Sequence, residues 1–165
     1  KKIEDYLNKL NNISSNFIQI NSDGLKVKGK LFLSKPGKLR IEYEKKENPL
    51  IIADGKWLHY FDMELNEIQS VTIEKSPAWI LLKKKVNLKK DFKIETLNEK
   101  NNKTFITLSD KDSENIKTIK LIFLNKPLTL KGWMIIDSNE IQTTVSLLKI
   151  KKINKFNSKT FQLIK

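Results

Sequence analysis

Apolar positions at the start of the chain recur at helical spacing and then change period. Ile3, Tyr6, Leu7 and Leu10 fall at i, i+3, i+4 and i+7, which puts them on one stripe and predicts an amphipathic helix from Lys2 to Asn12. Packing that stripe onto the core of the domain is enough to explain it. From Asn16 onward the period becomes two, in short runs rich in β-branched and aromatic residues, the pattern of half-buried strands. Strands are predicted at Leu25 to Leu33, Lys38 to Glu44, Leu50 to Ala53, Lys56 to Asp62, Glu67 to Ile73, Phe92 to Leu97, Thr104 to Leu108, Ile116 to Leu124, Leu128 to Asp137, Ile141 to Ile150 and Thr160 to Ile164. Asp23-Gly24 and Asp54-Gly55 suit hairpin turns, Pro36-Gly37 suits a type II turn, and Asn98 to Asn102 is a polar break. Roughly eleven antiparallel strands joined by short loops result.

One segment interrupts the series. Ser76-Pro77-Ala78-Trp79-Ile80-Leu81-Leu82 places a capping serine and a helix-starting proline ahead of a wholly apolar stretch, which predicts a short buried helix. So many antiparallel strands must curl, and the few short helices then belong across the mouth or along the concave face. No repeat, low-complexity tract or linker divides the chain, so residues 1–165 are read as one domain.

Composition narrows the chemistry. With 32 basic and 19 acidic residues and 39% hydrophobic content, the chain has the make-up of an ordered globular protein. No apolar run reaches the ~18 to 20 residues of a membrane-spanning helix. The absence of cysteine removes disulfides, thiolate metal sites and cysteine nucleophiles. The one histidine, His59, stands in Trp57-Leu58-His59-Tyr60-Phe61 with no nucleophile motif nearby, and reads as an ordinary strand residue. No catalytic residue, metal site or cofactor is expected, and the chain is read as a non-enzyme.

The net charge of +13 comes from lysine, with Arg40 alone as arginine. Nucleic-acid readers enlist arginine forks and interleaved aromatics, so a nucleic-acid partner is not expected. Lys83, Lys84, Lys85, Lys89 and Lys90 cluster locally. They form either a solvated loop or a contact for an anionic membrane face or acidic partner. The chain begins Lys1-Lys2-Ile3-Glu4 without the pattern of a secretory signal, and is read as cytosolic or as a mature form already cut.

The stretch Gly29-Lys30-Leu31-Phe32-Leu33-Ser34-Lys35-Pro36-Gly37-Lys38-Leu39-Arg40-Ile41-Glu42-Tyr43 resembles the outer-membrane lipoprotein carrier protein (LolA) family. There a glycine, alternating apolar residues and an Arg-Pro-Gly turn lead into an aromatic-Arg-Trp-x-Tyr strand. Ile52-Ala53-Asp54-Gly55-Lys56, Tyr60-Phe61-Asp62 and the Ser76 to Leu82 segment continue the likeness in register. Leu130-Lys131-Gly132-Trp133, Asp137 and Thr143-Thr144-Val145 look like the corresponding segment of alphaproteobacterial members.

The resemblance implies an unclosed antiparallel β-barrel whose short helices form a lid over a hydrophobic concave face. It implies a monomeric periplasmic carrier, present after signal-peptide removal, that takes acylated lipoproteins from an inner-membrane ABC-type releasing complex. Delivery would go to an outer-membrane acceptor or directly to the membrane surface. Physical chemistry requires such a device: a ~16-carbon acyl chain gains on the order of 12 kcal/mol on leaving water, so it does not cross an aqueous space bare.

Period-two spacing puts Leu31 and Leu33 on one face of their strand and Leu39, Ile41 and Tyr43 on one face of the next; these five are the expected acyl-chain lining. Lys30, Ser34, Lys38, Arg40 and Glu42 form the wetted face, with Phe32 as the exception among them. Family likeness adds Leu7 and Leu10 on the first helix, and Trp79, Leu81 and Leu82 on the second, as lid residues. Lys35 stands where the family carries a lid-latching arginine. Lysine keeps the charge and loses the planar fork, which predicts a looser latch. Two rival readings are the outer-membrane acceptor of the same fold, itself anchored through a cysteine that this chain lacks, and a basic membrane-surface module.

Overall fold

The computed structural model describes residues 2–110 and 116–163. A short helix, α1 (Lys2–Lys9), is followed by six strands: β1 (Ile13–Ile20), β2 (Lys26–Ser34), β3 (Lys38–Tyr43), β4 (Leu50–Asp54), β5 (Trp57–Asp62) and β6 (Glu67–Thr72). A 3-10 turn (Ile73–Lys75) and the short helices α2 (Trp79–Leu82) and α3 (Leu88–Asp91) come next. The chain closes with β7 (Phe92–Lys100), β8 (Lys103–Asp110), β9 (Ile116–Leu124), β10 (Thr129–Asp137), β11 (Gln142–Leu147) and β12 (Lys151–Lys152). The twelve strands belong to one unclosed antiparallel sheet whose edges are β6 and β7. The mainly β architecture with few short helices is the one the sequence pattern predicts.

Two compact units make up the described residues. The first contains residues 2–9, Ile18–Lys26 and Lys85–Leu148; the second contains Leu10–Phe17, Val27–Lys84 and residues 149–163. In the first, β11-β10-β9-β8-β7 lie in that order. The register aligns Ile106, Leu121, Trp133 and Val145 across four strands, with Thr104, Phe123 and Leu130 as the next row. All seven are buried. Helix α1 packs on this face: Leu7 is fully buried, and the Tyr6 ring meets Phe123 edge-on at 5.5 Å. In the second unit the order is β6-β5-β4-β3-β2-β1, with β12 pairing β1 through Ile13↔Lys152.

Several boundaries differ from the sequence pattern, each for a local reason. Helix α1 stops at Lys9, so Leu10 is buried beyond its end. The backbone at Asn12 is committed elsewhere: its carbonyl accepts from Ile153 N–H, and its side chain bonds the Ser34 hydroxyl at 2.6 Å. Helix α2 begins at Trp79 instead of after Ser76, whose hydroxyl accepts from Ala78 N–H in a tight turn of its own. The first strand starts at Ile13, three residues before the period change is evident, and the Ile141 strand ends at Leu147. The segment from Thr160 forms no strand as far as it is described, Ile164 lying outside the described residues. Consecutive turns take its backbone, with Thr160 N–H donating to the Asn157 carbonyl and Gln162 N–H to Lys159. Helix α3, with Asn87 accepting from Lys90 N–H as its cap, is too short to show a period.

Candidate functional site

The five expected lining residues share one face of the second unit. In the β2–β3 ladder Leu33 faces Leu39, Leu31 faces Ile41 and Gly29 faces Tyr43, and directly opposed residues in an antiparallel pair point to the same side. The ladders carry that face on. Leu39 faces Ala53, which faces Leu58, which faces Val71; Ile41 faces Ile51, then Tyr60, then Gln69. The result is two parallel rows across five strands, the first apolar throughout and the second apolar until it reaches Gln69 on the edge strand. They differ in burial. Leu33, Leu39, Ala53 and Leu58 are at most 2% exposed, whereas Ile41, Ile51 and Tyr60 are only half-buried. From β3 to β5 the face is therefore closed along the row beside the β2–β3 turn and half-open along the next, while at the ends Val71 on β6 is exposed and Leu31 on β2 is buried.

The closed row has a helix anchored at its end. Gly37 N–H in the β2–β3 turn donates to the carbonyl of Leu82, the last residue of α2, at 2.9 Å. Ile80, Leu81 and Leu82 are buried and Trp79 half-buried. Only glycine fits position 37, because its φ is +77° and a Cβ there would stand 2.9 Å from the Cα of Gly55 in the next hairpin turn. The Pro36-Gly37 and Asp54-Gly55 turns thus interlock. Lys35 sits in the same turn, half-buried, and burial brings its ammonium down from 10.5 to about 8.

At the Tyr43 end of the face, the Tyr43 ring meets Phe17 edge-on at 5.5 Å. Phe17 is buried in the space a side chain on Gly29 would need, its ring 2.8 Å from where that Cβ would be. Tyr60 is held mostly out of water, which pushes its phenol above the ordinary value.

The opposite face explains Phe32. Its ring packs edge-on against Phe156 at 6.1 Å, and Phe156 against Phe161 at 5.2 Å. The chain's only arginine holds the same segment down: Arg40 donates from Nη1 to the Thr160 carbonyl at 3.1 Å and from Nε to Glu42. Phe32 therefore lies under the returning C-terminal segment, not in a wetted position. Phe32, Arg40, Glu42, Phe156 and Lys159 border a groove of about 400 Å³ there. Farther along, His59 Nδ1 lies 2.6 Å from the Ser70 hydroxyl and its Nε2 lies 3.1 Å from Asp54. Burial pushes the Asp54 carboxyl up, but bonds from Trp57 and Lys56 N–H and from His59 outweigh it and hold it below the usual value. His59 thus ties β4, β5 and β6 together.

The remaining expected residues separate between the units. Leu10, Trp79, Leu81 and Leu82 belong to the second unit with the lining residues; Leu7 belongs to the first. In the first unit α1 fixes the approach to α3: the Asn8 amide donates to the Val86 carbonyl and accepts from Val86 N–H, and Glu4 accepts from Leu88 N–H. Lys83 is half-buried; Lys84, Lys85, Lys89 and Lys90 are exposed. The lysine cluster is divided between units, Lys84 and Lys85 marking the boundary.

Sequence reasoning stopped at two strands of the apolar face and missed Ile51, Ala53, Leu58 and Tyr60. Alternation out of an Asp54-Gly55 turn puts Ile51, Ala53, Leu58 and Tyr60 on one face, but the pairs Ala53↔Leu58 and Ile51↔Tyr60 arise because the turn residues are Gly55 and Lys56, one position further on. Among the described residues no helix is long and apolar enough to span a membrane, and no group of three His, Cys, Asp or Glu could hold a metal ion.

Comparison with known proteins matches residues 8–164 to the family model described as outer membrane lipoprotein carrier protein LolA. An outer-membrane lipoprotein carrier protein of Legionella pneumophila (strain Corby) is 30% identical over 169 residues, covering 97% of this chain and 82% of that protein. An uncharacterized protein of Rickettsia prowazekii is 26% identical, with 98% and 74% covered. The crystal structure of a LolA superfamily protein from Nitrosomonas europaea aligns over 98% of this chain and 96% of its own at a TM-score of 0.53 and 8% identity, a likeness of fold.

Proposed function

Because the chain belongs to the outer-membrane lipoprotein carrier protein LolA family, we propose that it binds the acyl chains of outer-membrane lipoproteins and carries them across the periplasm as a single-domain monomer. The observation that carries this reading is the pair of apolar rows on the second unit, one buried and one half-open. A fully packed core has no reason to leave Ile41 and Ile51 half-exposed on the same face as buried leucines, whereas a surface that receives a hydrocarbon chain does. Leu31, Leu33, Leu39, Ile41 and Tyr43 line the acyl site in this reading. Leu10, Trp79, Leu81 and Leu82, of the same unit, form its lid. Cargo comes from an inner-membrane ATP-driven releasing complex and goes to an acceptor or to the outer membrane itself, where the exposed lysines Lys84, Lys85, Lys89 and Lys90 meet anionic lipid.

Release requires that binding be offset by a cost in the loaded form, such as opening a lid. The Gly37–Leu82 bond is one contact such an opening would break. Lys35, in place of the family's arginine, is the latch in this reading, and it holds less firmly for want of a second planar donor.

The test is to incubate the protein with an acylated lipoprotein and washed membranes. The reading predicts lipoprotein in the soluble fraction, its loss in Ile41→Glu with the fold retained because Ile41 is half-exposed, and slower delivery to anionic vesicles when the four exposed lysines are neutralised. A lipoprotein that stays with the membranes in the presence of the wild-type protein contradicts it.

A further inference from the structure

Tyr60 stands on the half-open row where the apolar surface gives way to polar groups. It is directly opposite Ile51 on β4 and Gln69 on the edge strand β6. Ile51 is half-buried and Gln69 exposed, so Tyr60 marks the border between apolar surface and water. The phenol hydroxyl makes no hydrogen bond among the described residues, although every fully buried side-chain polar atom has a partner. The hydroxyl oxygen is therefore reachable from outside while its ring is mostly covered. Its phenol is raised by burial, so it stays protonated and a donor at neutral pH. A donor held beside a hydrocarbon surface without a protein acceptor suits a ligand that brings its own acceptor.

An acyl chain is such a ligand, since its hydrocarbon run ends in a carbonyl. We propose that Tyr60 is a specificity residue of the acyl site: its hydroxyl donates to the ester or amide carbonyl of the bound chain while the methylenes lie on Ile51 and Ile41. This rests on the carrier reading and deepens it. The apolar rows by themselves hold any hydrocarbon equally; Tyr60 lets the site prefer an acyl chain over an alkyl one. Gln69, across the ladder, is placed to meet the more polar part of the head.

The experiment uses two lipids of equal chain length, 1-palmitoylglycerol and 1-O-hexadecylglycerol, which differ in the carbonyl. Equilibrium binding of each is measured with the full chain and with Tyr60→Phe. A neutral hydrogen bond at a partly wet site gives the ester lipid an advantage of about three- to tenfold in the wild type. Tyr60→Phe removes that advantage, bringing the ester lipid to the affinity of the ether lipid, and a circular dichroism spectrum and unfolding midpoint like the wild type's show that the variant is folded. An ester preference that survives in Tyr60→Phe, or a wild type that binds both lipids equally, overturns the assignment. Failure of the wild type to bind either lipid overturns the carrier reading on which it rests.

Discussion

Lys35 shows how one substitution in a turn carries a titratable penalty. Its folded-state value of about 8 lies below the ordinary 10.5, so between those pH values the unfolded chain holds the proton more tightly than the folded one. Stability therefore rises with pH across that window, and the full cost of the buried ammonium is present below it. Denaturant unfolding of wild type and Lys35→Met from pH 7 to 10.5 should show the rise in the wild type alone. Parallel curves for the two proteins would mean that the ammonium carries no such penalty. Residues of this kind are half legible in a sequence. The lysine before the proline was visible as a departure from the family pattern; its burial was not, because burial depends on what the folded chain packs around the turn. Tyr60 was hidden for the same reason, since only the ladder places it beside Ile51.

Among the elements, the C-terminal segment departs furthest from its sequence pattern. Thr160 onward reads as a strand by composition, yet it runs in turns across the second unit, where Phe156 and Phe161 take up Phe32 and Arg40 bonds the Thr160 carbonyl. Alternation on β2 had already marked Phe32 as an anomaly, and the segment that covers it lies more than 120 residues away, beyond the reach of any local period. Phe32→Ala should cost about 2 to 3 kcal/mol in unfolding free energy, since it removes an aromatic contact from a partly buried site. It should also release residues 153–163 to limited proteolysis well before global unfolding. Unchanged cleavage of that segment would show that the ring ladder does not hold it. The hairpins, by contrast, were readable because Asp-Gly and Pro-Gly pairs fix turn positions and hence which side chains share a face. Short helices were poorly bounded because four residues give no period and the caps are made by residues the pattern assigns elsewhere, as Ser76 is.

At the scale of the molecule, alternation and turn spacing were enough to give a curled antiparallel sheet, its being unclosed was implied by the family resemblance, and ten of the predicted strands appear with small shifts at their ends. What alternation does not give is vacancy. A row of leucines reads the same whether it meets other side chains or a guest, and only the contrast between the buried Leu39 row and the half-open Ile41 row separates the two. In the carrier reading, acyl chains bind along the half-open row. The most direct measurement loads the protein with a lipoprotein whose acyl chain carries a photoactivatable diazirine, irradiates it, and maps the labelled residues by mass spectrometry. The account predicts label on Ile41, Tyr43, Ile51 and Tyr60. Label confined to the opposite face, around Phe32 and Phe156, would contradict it.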